Sequence, residues 1–166
     1  MLNPQITIRA ALPGDIPDLL RHMRSLAEFE RYINDFSVDE VSLLKRAFGP
    51  DPECHIFVAD CSECIVGYAV VLVIRFTFDL KSTLVLKEFF IDSNSRGAGI
   101  GSSLFRHVVA WALAEGSGRL KWDVMVGNQN AEAFYQKHGG CPDTKWIPYV
   151  MNEEALRKTA GLRDTE

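Results

Sequence analysis

The sequence predicts an α/β (α+β) fold with a mixed central β-sheet flanked by helices, and three observations lead there. Two β-rich runs, 55–60 and 65–77, are separated only by the polar stretch Cys61-Ser62-Glu63-Cys64, the pattern of a hairpin and therefore of antiparallel strands. Further along, β-rich and helical periodicities alternate, which requires helical crossovers and parallel pairing. The chain has 166 residues, 47% of them hydrophobic, and no Pro/Gly/Ser-rich linker, so a single domain over residues 1–166 is expected.

Each element has a local reason. Residues 4–10 alternate Ile6 and Ile8 with polar neighbours, a short strand, and Pro13-Gly14-Asp15 breaks it. Ile16, Leu19, Leu20, Met23, Leu26 and Ala27 recur at helical spacing, with Asp15 placed to cap the first turn. Ser37-Val38-Asp39-Glu40 fits a capping box ahead of a helix with Val41, Leu44 and Phe48 on its apolar face, stopped by Gly49-Pro50. After the hairpin, a strand is expected over 84–92. Leu104, Phe105, Val108, Val109 and Ala112 then form a helical stripe that ends near Gly116 and Gly118. Residues 120–126 read as a strand, 130–138 as a short helix closed by Gly139-Gly140, and 145–151 as a last strand, before Asn152 caps a terminal helix.

Composition narrows the partners. A net charge of −4 gives no basic footprint for nucleic acid. The apolar run 65–74 is too short to span a bilayer, and no secretory leader is visible, so neither a membrane nor an export route is expected. Four cysteines contain one Cys-x2-Cys pair, Cys61 and Cys64, without a second pair or a nearby histidine at zinc-ligand spacing; reduced thiols in a cytoplasmic protein, and no metal, are the expectation. His22, His55, His107 and His138 show no ligand spacing either.

The stretch Arg96-Gly97-Ala98-Gly99-Ile100-Gly101-Ser102 lies where a strand hands over to a helix. Such a loop exposes successive backbone N–H groups at a helix N-terminus, and glycine lets a phosphate approach without a Cβ in the way. A Walker loop would need Gly-Lys-Ser/Thr, whereas Gly101 is followed by Ser102-Ser103. The dinucleotide fingerprint would need G-x-G-x-x-G in a first βα turn, and here the pattern is G-x-G-x-G past mid-chain. A glycine turn without a ligand is the remaining reading from the loop alone.

With its flanks, the loop resembles the acetyl-CoA pyrophosphate loop of the GNAT superfamily of N-acetyltransferases, pattern Q/R-x-x-G-x-G/A, with Arg96, Gly99 and Gly101 at its three positions. The segment "NQNAEAFYQKHGG" is similar to that superfamily's N-x-x-A-x-x-F-Y-x-x-x-G, through Asn128, Phe134, Tyr135 and Gly139. "LAEFERY", "IVGYAV", "LKEFFID", "RGAGIGSSL" and "NAEAFY" line up in order with the spermidine/spermine N-acetyltransferase family, which includes thialysine acetyltransferases. The resemblance implies a GNAT-type fold, acetyl-CoA as co-substrate, and a homodimer.

Acetyl transfer to an amine needs a neutral amine, a polarised thioester and a proton for the departing thiolate. By resemblance, Tyr135 is the general acid; a tyrosine, with an ordinary pKa of about 10, is protonated at neutral pH. Glu88 is the candidate general base, or else an ion-paired strand carboxylate. The family carries an acid at the position of Lys87, and strand neighbours face opposite sides unless a bulge intervenes, so Glu88 takes over that role only through such a bulge. Phe29 and Glu30 fall on the family's substrate-binding pair, and Lys87 suits a substrate with its own carboxylate. For acetyl-CoA, the resemblance implies the backbone of Phe89, Phe90 and Ile91 at the pantetheine. It also implies Arg96, Gly97, Ala98, Gly99, Ile100, Gly101 and Ser102 at the pyrophosphate, with Asn128, Gln129, Asn130, Ala131 and Tyr135 along the cofactor's other side.

The expected activity is acetyl transfer from acetyl-CoA to a primary amine of a small molecule, a polyamine or an amino acid with an amino side chain such as thialysine. A peptide or protein N-acetyltransferase, and a CoA-binding sensor without catalysis, are the alternatives.

Overall fold

In the computed structural model, which describes residues 6–162, the sheet follows the order of the chain. Its strands are β1 (Thr7–Ala10), β2 (His55–Asp60), β3 (Ile65–Ile74), β4 (Thr83–Ile91) and β5 (Arg119–Lys121). Strands β1 to β4 pair antiparallel, and β5 joins β4 in parallel, as expected for a hairpin meander followed by a helical crossover. The helices are α1 (Ile16–Phe29), α2 (Glu40–Phe48), α3 (Ile100–Ala114), α4 (Gln129–Lys137) and α5 (Glu153–Thr159). The chain divides after Met125 into two units; the sheet with α1 to α3 forms the first, and α4 and α5 belong to the second.

Both faces of the sheet are covered. Ile16, Leu19, Met23 and Leu26 of α1 and Leu43 of α2 pack on Ile56, Val58, Tyr68, Val70 and Phe90, whose odd or even positions place them on one face of their strands. The opposite face meets α3: Phe57 lies 5.1 Å from His107 and 5.2 Å from Trp111, ring to ring, and Phe89 lies 6.1 Å from Phe105. Gly67 admits the close approach of β4, because a Cβ there would fall on Ile91 Cδ1 and 2.8 Å from the Phe90 carbonyl oxygen.

Five local expectations are corrected. Asp15 precedes α1 but does not cap it with its side chain; its carboxylate instead takes Arg9 at 2.7 and 2.9 Å and the Leu12 N–H at 2.7 Å. The capping box of α2 is Asp39 with Ser42, not Ser37 with Glu40. Asp39 Oδ1 accepts the Ser42 N–H at 2.7 Å while Ser42 Oγ accepts the Asp39 N–H at 3.0 Å, a reciprocal pair that fixes the start two residues later. With that start, Leu43 is the buried residue of α2 at 6% exposure, and Val41 is 74% exposed. β5 is three residues long instead of running through 120–126, and Val85–Lys121 is its last pairing, two residues short of an irregularity in β4. Residues 145–151 form no strand: Trp146, Ile147, Tyr149 and Val150 are exposed, and Pro148 has no N–H to give a ladder. The expected strand residues Pro4 and Gln5 lie outside the described residues. Asn152 caps α5 as expected, accepting the Ala155 N–H at 2.9 Å. No helix of the described residues is long and apolar enough to cross a membrane.

Candidate active site

The irregularity in β4 is a bulge at Lys87. Glu88 pairs with Val70 and Leu86 with Val71, so Lys87 is an extra residue with no counterpart on β3. The bulge reverses the alternation of the strand. Leu86 shares the face of Val71, whereas Glu88 shares the face of Val70, which belongs to the core under α1. Counted from Leu86, Glu88 thus takes the face that position 87 would hold in an unbroken strand.

Glu88 is not an exposed strand carboxylate. Its Oε2 accepts the hydroxyl of Tyr68 at 2.8 Å, and Tyr68 is fully buried. Burial raises the Glu88 carboxyl above its ordinary value; the Tyr68 hydrogen bond and the Lys87 ammonium pull it down, and the charge of Glu30 adds to the rise. Burial likewise drives the Tyr68 hydroxyl far up, helped by the charge of Glu88, so Tyr68 stays a donor.

The end of α1 brings two further groups to this point. Arg31 adopts φ 67°, the Tyr32 N–H returns to the Ala27 carbonyl at 2.9 Å and the Arg31 N–H to the Glu28 carbonyl at 3.2 Å, a left-handed helix stop that turns the chain between Glu30 and Tyr32. Glu30 is raised by partial burial and held back by Lys87. Tyr32 is pushed up to about 12 by burial and then by the charges of Glu88 and Glu30. Two carboxylates, one ammonium and two phenols thus act on one another, an arrangement able to hold an ammonium and remove its proton. Sequence reasoning named Glu30, Lys87 and Glu88 and missed Tyr32 and Tyr68. Phe29, named with Glu30, is the exposed last residue of α1.

The glycine loop begins where β4 ends. Arg96 does not project from it: Nε donates to the Ile91 carbonyl at 2.9 Å and the guanidinium lies 5.8 Å from the centre of the Phe90 ring. Gly97 and Gly99 take φ of 83° and 80°, and no atom lies within 4 Å of where a Cβ would sit on either. Gly99 is the N-cap of α3 and offers no side chain to the first-turn N–H groups, while Ile100 turns into the core. A helix start whose capping residue has no side chain, with open space beside Gly97 and Gly99, fits a phosphate group. On the edge of β4 away from β3, β5 pairs with residues 83–85, and among the described residues no strand continues that pairing from Leu86 to Ile91.

In the second unit, Asn128 caps α4 by accepting the Ala131 N–H at 3.1 Å, with Gln129 and Asn130 exposed in the first turn. Tyr135 is half-buried, its ring 5.2 Å from Phe134, and its carbonyl takes the Gly140 N–H at 2.9 Å beyond Gly139 at φ 86°. Among the described residues, no cluster of three or more His, Cys, Asp or Glu could hold a metal ion.

Comparison with known proteins gives the class first: residues 20–140 match the Acetyltransferase (GNAT) family, so this is an enzyme that transfers acetyl groups. The chain belongs to that family, whose enzymes use acetyl-CoA as co-substrate. It is 29% identical to a thialysine N-epsilon-acetyltransferase of Sus scrofa, over 94% of this chain and 98% of that one. It is 25% identical to a spermidine/spermine N(1)-acetyltransferase-like protein 1 of Homo sapiens, over 90% of this chain and 23% of that one. An integron cassette protein of V. cholerae shares the fold, with a TM-score of 0.75 at 24% identity over 93% of this chain and 97% of that one.

Proposed function

We propose that the chain, working as one domain, acetylates the side-chain amine of a small amino acid with acetyl-CoA, in preference to a polyamine. The observation that carries this reading is the bulge, which sets the exposed ammonium of Lys87 beside the half-buried carboxylate of Glu88 and in the field of Glu30. Two carboxylates attract the ammonium to be acetylated, and Lys87 meets a carboxylate that polyamines lack. The thialysine acetyltransferase relative supports the choice.

Acetyl-CoA, when bound, supplies the thioester and the thiol leaving group. The N-terminal amides of α3 with Gly97, Ala98 and Gly99 would hold its pyrophosphate, and the β4 backbone at Phe89, Phe90 and Ile91 its pantetheine. Glu88 accepts the proton of the substrate ammonium, directly or through water, and its raised affinity for protons suits a base at neutral pH. Tyr135 supplies the proton to the departing sulfur, a role that rests on the likeness of the 128–139 segment.

The test is CoA thiol release with spermidine, spermine, thialysine, lysine, ornithine and a short peptide, for wild type, Lys87→Glu, Glu88→Gln and Tyr135→Phe. Amino acids should lead, and Lys87→Glu should cost them about tenfold, the lower end of what a charge-assisted hydrogen bond contributes. Wild-type preference for spermidine or for the peptide would overturn the acceptor, and full activity of Glu88→Gln would overturn the base.

A further inference from the structure

We propose that Cys61 and Cys64 form a thiol–disulfide exchange site on the β2–β3 turn, able to close an intra-turn disulfide with a low-molecular-weight disulfide such as oxidised glutathione. The two sulfurs already touch, Sγ to Sγ at 3.1 Å, and both thiols are free. The Cys61 N–H donates to the Cys64 carbonyl at 3.0 Å. Backbone pairing of that kind brings Cα atoms to about 5.5 Å in an antiparallel ladder, within the span of about 4.4–6.8 Å that a disulfide bridges.

The turn is held in this geometry from both sides. Ser62 sits at φ 72° with its N–H on Asp60 Oδ1 at 2.7 Å. Just past Cys64, the Ile65 N–H donates to Asp18 Oδ2 at 2.9 Å, and the buried His22 Nε2–H donates to the Ile65 carbonyl at 2.7 Å. The sulfurs are also unequal. Burial works against the Cys61 thiolate, yet the Cys64 S–H and the backbone N–H groups of Glu63 and Cys64 outweigh it and leave Cys61 below the ordinary thiol value. Cys64 is pushed up to about 11, first by that same hydrogen bond. This is the division between an attacking and a resolving thiol.

The exchange balances without another reactant. The Cys61 thiolate attacks one sulfur of oxidised glutathione, forming the Cys61–glutathione bond and expelling glutathione thiolate. Cys64, losing its proton to water, then attacks the Cys61 sulfur and expels the second glutathione. Two protein thiols are oxidised and one small disulfide is reduced to two thiols. The other two cysteines lack this arrangement: Cys54 is raised by burial and then by the charges of Glu88 and Glu53, and Cys141 has no neighbouring cysteine in sequence.

The experiment incubates the reduced full-length protein with oxidised glutathione, quenches with iodoacetamide and maps the cysteines by mass. Wild type should lose the alkylatable thiols of Cys61 and Cys64 together, through a 61–64 disulfide carrying no glutathione. Cys64→Ser should instead retain a stable glutathione adduct on Cys61. Separate adducts on both cysteines of wild type, or both still alkylated once Cys141 is consumed, would overturn the proposal. Because the wild-type arm decides on its own, the reading does not depend on how the serine variant folds.

Discussion

Replacing Tyr68 by phenylalanine removes one hydroxyl and leaves the ring, 6.2 Å from Phe90, in place. That hydroxyl donates to Glu88 at 2.8 Å inside a site where Tyr68 is fully buried. A hydrogen bond to a charged group contributes about 1.5–3 kcal/mol. It stabilises the ionised carboxylate only, so its loss adds to the rise that burial already imposes on Glu88. The sign is then fixed: the variant protonates Glu88 at higher pH than wild type. On the acid limb, where the rate follows the ionised fraction, kcat/KM should fall about ten- to hundredfold, at 1.36 kcal/mol per tenfold. On the alkaline plateau both enzymes hold an ionised base and should converge. Glu30, Tyr32 and Lys87 face Glu88 in both proteins and cancel in the ratio. The assay is the initial rate of CoA thiol release at subsaturating amine across pH. An equal loss at every pH would show Tyr68 to be structural only, and no loss would refute the coupling.

Gly67→Ala places a Cβ on Ile91 and against the Phe90 carbonyl. Overpacking of this kind costs about 1–3 kcal/mol, so denaturant melts should show a lower midpoint, together with a higher KM for acetyl-CoA from displacement of the Phe90–Ile91 backbone. Arg9→Ala breaks the link of β1 to Asp15 and, at 2.9 Å, to Asp60 on β2. The loss should be about 1.5 kcal/mol, or roughly 3–6 °C in Tm for a chain of this size. Arg9 holds Asp15 below the usual carboxylate range, so wild type keeps this contribution above the unfolded value near about pH 4 and loses it as pH falls through the lower folded value. Melts of the two proteins should therefore differ fully at pH 7 and converge in acid; a constant gap would contradict the assignment.

Much of this was written locally. The hairpin β2–β3 was legible because two β-rich runs flank a four-residue polar turn, and α3 because its apolar stripe follows a glycine start. The bulge was not, since an extra residue is defined by the partner strand's register and leaves no mark on composition. The same holds for Tyr68, whose partner is 20 residues away, and for Tyr32, delivered by a left-handed stop at Arg31 that no glycine announces. Arg96 lies on the glycine loop, but its side chain turns back to the end of β4, to a carbonyl five residues and a ring six residues upstream. Position 87 shows the opposite case: lysine in place of an acid was visible at once, while its consequence depended on the bulge.

The order of the strands also bears on how the site comes into being. Strands β2, β3 and β4 are joined by short connections, so closing the Tyr68–Glu88 contact requires ordering a modest loop, for which the entropic cost is small. β1 must return across the whole of α1 and α2, and β5 must wait for α3. During folding the proposed base and its donor are thus expected to meet within the early-forming meander, and the outer strands to dock onto a centre already assembled.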